Sequence, residues 1–429
     1  MAPSACQVRI ALIMWPFNNC EIRLLPHPGG KRFAFTIIDD TDMATLETVR
    51  PIYDYLHSLG LRTTKTVWVT GPKTPQAKPS DAGDTLEREE YAAYIRLARR
   101  RGFEIALHNV SSQSSTRGQI AAGIEKFRQI VGEYPGINVH HEKNRENLYF
   151  EFAQRGGYRP PSFRSTAFQR LNTMVRRNGH PPVFQNCGCC GEDSRSDYFW
   201  GDLCRTTIQY VRSNVFFQDL NTLRCNPLAP YTSIDTPYVN HWFDSSNGQD
   251  VRCFNSILNS RNIAALKREC GCSILYTHFG KGFSVGTDGR FDLNEETKSC
   301  LRAVAGDPDG WYVPVGEILD RLLAFQRVTV FPLPAGVALT NHNFFDIASV
   351  TLLAVPAQPY FDLDRRETIA ADERGRIILP LLRAGTTTVL VRSQASRCVK
   401  PWYEERGSAW KLDLEAAARK LRVRWFENA

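Results

Sequence analysis

Residues 33 to 42 read FAFTIIDDTD, so three carboxylates (Asp39, Asp40 and Asp42) fall within four positions after an apolar run. Like charges this close resist joint ionisation unless a cation or a proton-transfer task stabilises the arrangement. Histidines stand at comparable places further along: His108 follows FEIAL, His140 and His141 close INVHH, and His278 follows CSILYT. Carboxylate with imidazole is ligand chemistry that suits a catalytic divalent ion, zinc above all, with a position left open for water. Each residue alone has a simpler explanation. An Asp after a strand often caps the next helix, as Asp42 or Thr45 would here, and a lone strand-end His is commonly a hydrogen-bonded surface residue. All of those explanations must hold at once to dismiss a site.

The elements that have to position these residues alternate between strand and helix. FAFTII (33–38), TKTVWVT (64–70), FEIAL (103–107), INVH (137–140) and CSILYTHF (272–279) read as strands. Helices are expected over 46–60, with Pro51 early and Gly60 as the stop, and over 86–102, 118–136 and 315–326. Residues 71–85, rich in Pro, Gly and Ser, form a long loop, and 170–260 carries only weak periodicity. This rhythm predicts parallel strands in an α/β barrel or a doubly wound sheet, where the C-terminal strand ends converge on one face. After about residue 328 the texture changes to short β-like runs (349–356, 375–381 and 386–392) and a short helix near 413–421, which predicts a second, mostly β domain.

Composition bounds the function. A chain of 429 residues suits one large domain and a smaller one, and 42% hydrophobic with 23% charged residues is ordinary for a globular protein. The net charge of +8 comes without a nucleic-acid motif, and Arg99, Arg100 and Arg101 read as a solvated helix end, so no nucleic-acid partner is expected. No apolar run approaches the ~18 residues of a membrane span. The first twenty residues make a poor secretory signal, so a cytoplasmic location is expected. Of twelve cysteines only Cys187 and Cys190 have the spacing of a thiolate metal pair, and no second pair follows; free thiols in a reducing compartment are expected.

Several of these segments together resemble polysaccharide deacetylases, a family of carbohydrate esterases. TIIDDTD resembles their first motif, in which a strand ends in Thr-Phe-Asp-Asp-Gly, and EIALHNVSS resembles the second, His-containing motif. SFRS around Arg164 is similar to the third motif, ILYTHF to the late motif that delivers a His, and GWYVPVGEILDRL to the stretch before the last barrel helix. The resemblance covers about residues 31 to 326, in the family's order. It implies an α/β fold, a distorted (β/α)7 barrel over 31–327, after an N-terminal extension (1–30) and before a C-terminal, mostly β accessory domain (328–429). It also implies metal-assisted removal of an acetyl group, as amide or ester, from a carbohydrate substrate such as a surface-polysaccharide precursor.

By position, the resemblance makes Asp39 the catalytic base, Asp40 and His108 metal ligands, Arg164 the arginine that orients the base, and His278 the general acid. The sequence departs from the family pattern where a second ligand His is usual, since that position is Ser112. His140 or His141 could supply the missing imidazole, and His141 is preferred because it begins the polar loop. Asp42 stands where the motif has no carboxylate and could compensate for the lost ligand or bind substrate. Arg159, in RPP, competes with Arg164. These departures keep open an alternative: a barrel that binds or remodels a glycan without deacetylating it.

Overall fold

The computed structural model describes residues 21–72, 74, 82–150, 188–217, 219–287, 290–333 and 335–392. Among the described residues, 31–326 form one compact unit, and 21–30 join 327–392 in a second. In chain order the elements are β1 (Glu21–Leu25), β2 (Phe33–Asp39), α1 (Leu46–Ser58), β3 (Thr64–Val67), α2 (Glu89–Arg100), β4 (Glu104–Leu107), α3 (Arg117–Val131) and β5 (Ile137–Asn138). There follow α4 (Gly201–Thr207), β6 (Tyr210–Phe216), α5 (Thr222–Cys225), β7 (His241–Asn247), α6 (Val251–Ile257), α7 (Ser260–Arg268) and β8 (Cys272–Thr277). A hairpin of β9 (Ser284–Thr287) and β10 (Arg290–Leu293), then α8 (Glu295–Ala305), β11 (Gly310–Trp311) and α9 (Val315–Phe325), complete the first unit.

Strands β2 to β8 pair in chain order and in parallel, and β8 returns to pair with β2. The result is a closed seven-stranded parallel barrel. One edge of β2 is shared: Ile38 and Asp39 face β3, while Phe33 and Ala34 pair with β11. That shared edge is one departure from regularity, and a register shift between β6 and β7 at Arg212 to Val215 is another.

Two apolar layers follow from the pleat of β2. Phe33, Phe35 and Ile37 pack outward with Val49, Ile52, Tyr53 and Leu56 of α1. Ala34 and Ile38 turn inward, where Ala106, Ile137, Val139, Tyr210, Phe243, Cys272 and Ile274 from the other strands meet them. Successive strand residues point to opposite faces, so every barrel strand sorts its side chains between these layers with a period of two. Helix α9 closes the inner layer with Val315, Ile318, Leu319 and Leu322.

The start of α9 is held by the beginnings of β3 and β4. Val315 N–H donates to Thr64 Oγ1 (2.9 Å) and Gly316 N–H to Glu104 Oε2 (3.1 Å), while Thr64 donates to the same Glu104 oxygen (2.6 Å). A Cβ on Gly316 would lie 2.3 Å from Glu104 Oε1, so a larger residue there would displace the carboxyl. Burial, only partly offset by these donors, pushes the Glu104 carboxyl up to about 7.

In the second unit, β1 pairs antiparallel with β14 (Ile347–Val355), which pairs with β17 (Arg376–Leu382). The segment expected as an extension thus contributes a strand here. A five-stranded antiparallel sheet runs in the order β12 (Val328–Leu333), β13 (Gly336–Asn341), β18 (Thr387–Arg392), β15 (Tyr360–Asp362), β16 (Glu367–Ile369). The unit is mostly β, as expected; the helix expected near 413–421 lies outside the described residues. Among the described residues no helix is long and apolar enough to cross a membrane.

Glu104 generates a pH test. Its carboxyl is raised in the folded state, so the stability this provides is present below the unfolded value of about 4.5 and is lost as pH rises through about 7. Glu104→Gln, which keeps an acceptor without the charge, should gain up to about 3 kcal/mol over wild type between pH 4.5 and pH 8 in urea unfolding. A variant less stable than wild type at pH 8 would show that α9 needs the ionised carboxylate.

Candidate metal centre at the C-terminal end of the barrel

The period of two also decides which polar residues reach the barrel mouth. Ala106 faces inward and so does His108 two residues on; Val139 is followed in the same way by His141, and Tyr210 by Arg212. Asp40 and then Asp42 extend the inward parity of Ile38. Tyr276 and His278 do the same after Ile274. Residues of the opposite parity face the helices.

Asp39 belongs to that opposite set. Its carboxylate is fully buried and accepts from Tyr53 Oη of α1 (3.0 Å) and the Phe279 N–H (2.7 Å), and it pairs with Lys65 Nζ of β3 at 3.0 Å. Burial raises its carboxyl against the pull of Lys65. Burial would lower the Lys65 ammonium, but the Asp39 charge more than reverses that and holds it raised. Asp39, expected as base, thus joins the barrel to the helix layer and is turned away from the histidine cluster.

Asp40, expected as a metal ligand, is instead held by Arg212 across the barrel. Two parallel hydrogen bonds, Nη1 to Oδ1 at 2.9 Å and Nη2 to Oδ2 at 2.7 Å, form a bidentate pair. The guanidinium lies 4.4 Å from the centre of the Tyr276 ring, which fixes its plane. Burial works against the Asp40 charge, but Arg212, with His108 and His278 beyond it, keeps the carboxyl below its usual value. Arg212 went unread in the sequence because its strand lies in the weakly periodic stretch. The signal was present, since an arginine inside YVRSNVF has no place in an apolar strand without a buried partner. Arg164 and Arg159 lie outside the described residues.

Asp42 is where the imidazoles converge. His108 Nε2 lies 3.0 Å and His141 Nε2 4.0 Å from Oδ1, and His278 Nε2 lies 3.1 Å and Lys281 Nζ 3.3 Å from Oδ2. Against burial, His108 and His278 hold the Asp42 carboxyl well below its usual value. Each ring is anchored through its other nitrogen: Nδ1 of His108 on the Val139 carbonyl (3.2 Å), of His141 on Asn144 Oδ1 (3.2 Å) and of His278 on the Gln249 carbonyl (2.7 Å). For His108 and His141 an acceptor at Nδ1 takes that proton and makes Nε2 the nitrogen available to an ion, which is how ligand histidines are oriented.

Asp42, His108 and His141 offer one ligand atom each, all within 4.8 Å of one another and all buried. A tetrahedral ion with bonds of about 2.1 Å wants its ligands about 3.4 Å apart, so a carboxylate and two imidazoles at this spacing fit zinc or a similar divalent ion. Around them Asn144 is fixed by donating to the Ser111 carbonyl and to Glu146 Oε1, both at 3.0 Å. Glu146 also receives Asn109 Nδ2 and the Ser115 N–H, and burial pushes its carboxyl up to about 7. Trp68 stacks on His108 and meets His141 edge-on. The chain turns sharply after two of these residues: Met43 and Asn109 have φ of 59° and 51°, a region that Asn tolerates better than Met.

His140 has the other parity. Its ring packs edge-on to Trp242, and burial, reinforced by Arg212, drives it to about 3, so it is neutral. Ser112 is buried outside the ligand group, its Oγ lacking a hydrogen-bond partner among the described residues. The ligand group contains no cysteine. Cys190, Cys204, Cys225, Cys253, Cys272 and Cys300 are free thiols as expected, whereas Cys189 is disulfide-bonded, which the expectation of free thiols did not include.

No protein-family model matches the sequence, and no curated protein is similar to it at a significant level. Solved structures do match. PuuE allantoinase shares 11% identity over 69% of this chain and 92% of its own, with a TM-score of 0.38. The catalytic domain of a peptidoglycan N-acetylglucosamine deacetylase from Eubacterium rectale shares 10% over 67% and 90%, with a TM-score of 0.30. AmyP in complex with maltose shares 10% over 83% and 96%, with a TM-score of 0.32.

The assignment of Asp39 is checked by stability. Lys65→Met leaves a buried carboxylate without its cation and should cost about 3–5 kcal/mol in urea unfolding. The double variant Asp39→Asn, Lys65→Met should recover most of that loss. A Lys65→Met protein as stable as wild type would contradict the pairing.

Proposed function

We propose that this protein is a metal-dependent hydrolase that removes an acetyl group, held as amide or ester, from a sugar or polysaccharide precursor. The observation that carries the reading is the convergence of anchored imidazole Nε2 atoms on the Asp42 carboxylate. The ordered sequence resemblance to polysaccharide deacetylases supports the choice of acetylated carbohydrate.

Asp42, His108 and His141 would hold the ion, which would supply Lewis-acid polarisation of the acyl carbonyl and acidify a water. Asp40 accepts the proton of the attacking water: Arg212 keeps it ionised and fixes its plane, and each carboxylate oxygen retains a lone pair beside the guanidinium bond. His278 has Nδ1 tied to the Gln249 carbonyl, so the proton it delivers to the leaving nitrogen or oxygen is the one on Nε2. Tyr276 Oη, 3.2 Å from that nitrogen, helps to hold it in place. Compared with the roles implied by the resemblance, the base moves from Asp39 to Asp40 and the ligand carboxylate from Asp40 to Asp42.

After zinc is supplied, wild type should hold stoichiometric metal, and Asp42→Ala and His141→Ala should lose it. Asp40→Asn should keep the metal yet release acetate from N-acetylated sugars about 10²- to 10⁴-fold more slowly. Wild type without metal defeats the hydrolase reading and leaves a glycan-binding barrel; full activity in Asp40→Asn removes Asp40 as base.

A further inference from the structure

Lys281 is the one contact of Asp42 that neither the ligand group nor the proton transfers require. Its Nζ lies 3.3 Å from Oδ2, on the side of the carboxylate away from His108 and His141 and beside His278 Nε2. Its side chain is 26% exposed, against 3%, 7% and 6% for the three histidines, so it is the most solvent-exposed of the groups around Asp42.

The lysine is also positioned. Its N–H donates to the His278 carbonyl (2.9 Å), and its own carbonyl accepts from Val251 N–H (3.4 Å). The preceding Gly280 presses on the Asp42 turn so closely that a Cβ there would come within 2.4–2.6 Å of Met43, Ala44 and Asp42 backbone atoms. The loop that carries Lys281 is therefore locked to the turn that carries Asp42.

Charge around this point is unbalanced once an ion binds. The Asp40 charge is matched by Arg212 and the Asp39 charge by Lys65, and among the described residues Asp42 is the one carboxylate within ion-pair distance of Lys281. A divalent ion held by Asp42, His108 and His141 would take up the Asp42 charge and would leave the Lys281 ammonium without an equal partner. A cation in this state selects for an anion on the incoming molecule.

We propose that Lys281 is a specificity-determining residue that binds an anionic group of the substrate, so that this site takes a sugar bearing a carboxylate or a phosphate in preference to a neutral one. The proposal rests on the hydrolase reading for the identity of the site and deepens it by naming the substrate class. The carboxylate of a uronic acid and the phosphate of a sugar phosphate offer the same charge-assisted hydrogen bonds to an ammonium.

The test uses the full chain with zinc supplied and three probes, D-glucuronate, glucose 1-phosphate and D-glucose, with dissociation constants measured by NMR titration. At least one acid should bind about tenfold or more tightly than glucose, and the tighter acid identifies the anion. Lys281→Met should bring that acid within about twofold of glucose, and Lys281→Arg should restore the preference; thermal melts of all three proteins confirm folding. Equal binding of acids and glucose by wild type overturns the proposal. So does a preference that survives in Lys281→Met, because the anion would then be bound by the ion or by other groups. Metal content measured on the same samples tests the hydrolase reading separately, since the anion preference is read from the probes and not from turnover.

Discussion

One step along β2 separates two buried aspartates that point in opposite directions, and the site depends on that pleat. Asp39 is turned toward α1 and neutralised by Lys65; Asp40 is turned into the barrel and neutralised by Arg212. A carboxylate stripped of water is costly to keep charged, so each has to be given a cation of its own. Only when both are matched does a third, Asp42, remain to gather imidazoles from the ends of β4 and β8 and from the turn after β5. The parity that sorts apolar side chains between the inner and outer layers therefore also sorts the carboxylates by role.

The surroundings of Asp42 follow the same economy of geometry. Backbone carbonyls of Val139 and Gln249 and the side chain of Asn144 each fix a ring through Nδ1, so the imidazole directions are set by elements that exist for the barrel itself. Glu146 orients Asn144 and Asn109 together, which ties His141 to the turn after His108. Bidentate geometry fits Arg212 better than a lysine for Asp40, because a guanidinium holds both oxygens in one plane and stays charged when buried.

Much of this was legible in the sequence. The apolar run before Asp39, the helix expected over 46–60 and the histidines at strand ends all follow from local pattern; their alternation gives parallel strands, while the choice of a barrel over a doubly wound sheet came from the family resemblance. His141 could be preferred over His140 because it begins the polar loop, whereas His140 alternates back toward the strand. The roles of Asp39, Asp40 and Asp42 could not be separated in the same way: a shift of one residue exchanges inner and outer faces, and the motif comparison aligned the pair DD without fixing which member faces inward. Arg212 was hidden by its setting, a strand between short, polar segments whose partner stands 172 positions earlier. Ion pairs of that span are set by barrel closure, which no local pattern reports.

The central claim is that Asp42, and not Asp40, is the carboxylate of the metal group, with Asp40 reserved for proton transfer. A crystal structure of the cobalt-loaded protein, with anomalous difference density collected at the cobalt edge, tests it directly. The account predicts a peak bounded by Asp42 and by Nε2 of His108 and His141, with the Asp40–Arg212 pair intact. A peak ligated by Asp40, with Arg212 displaced, would contradict it, as would well-ordered side chains with no peak between them.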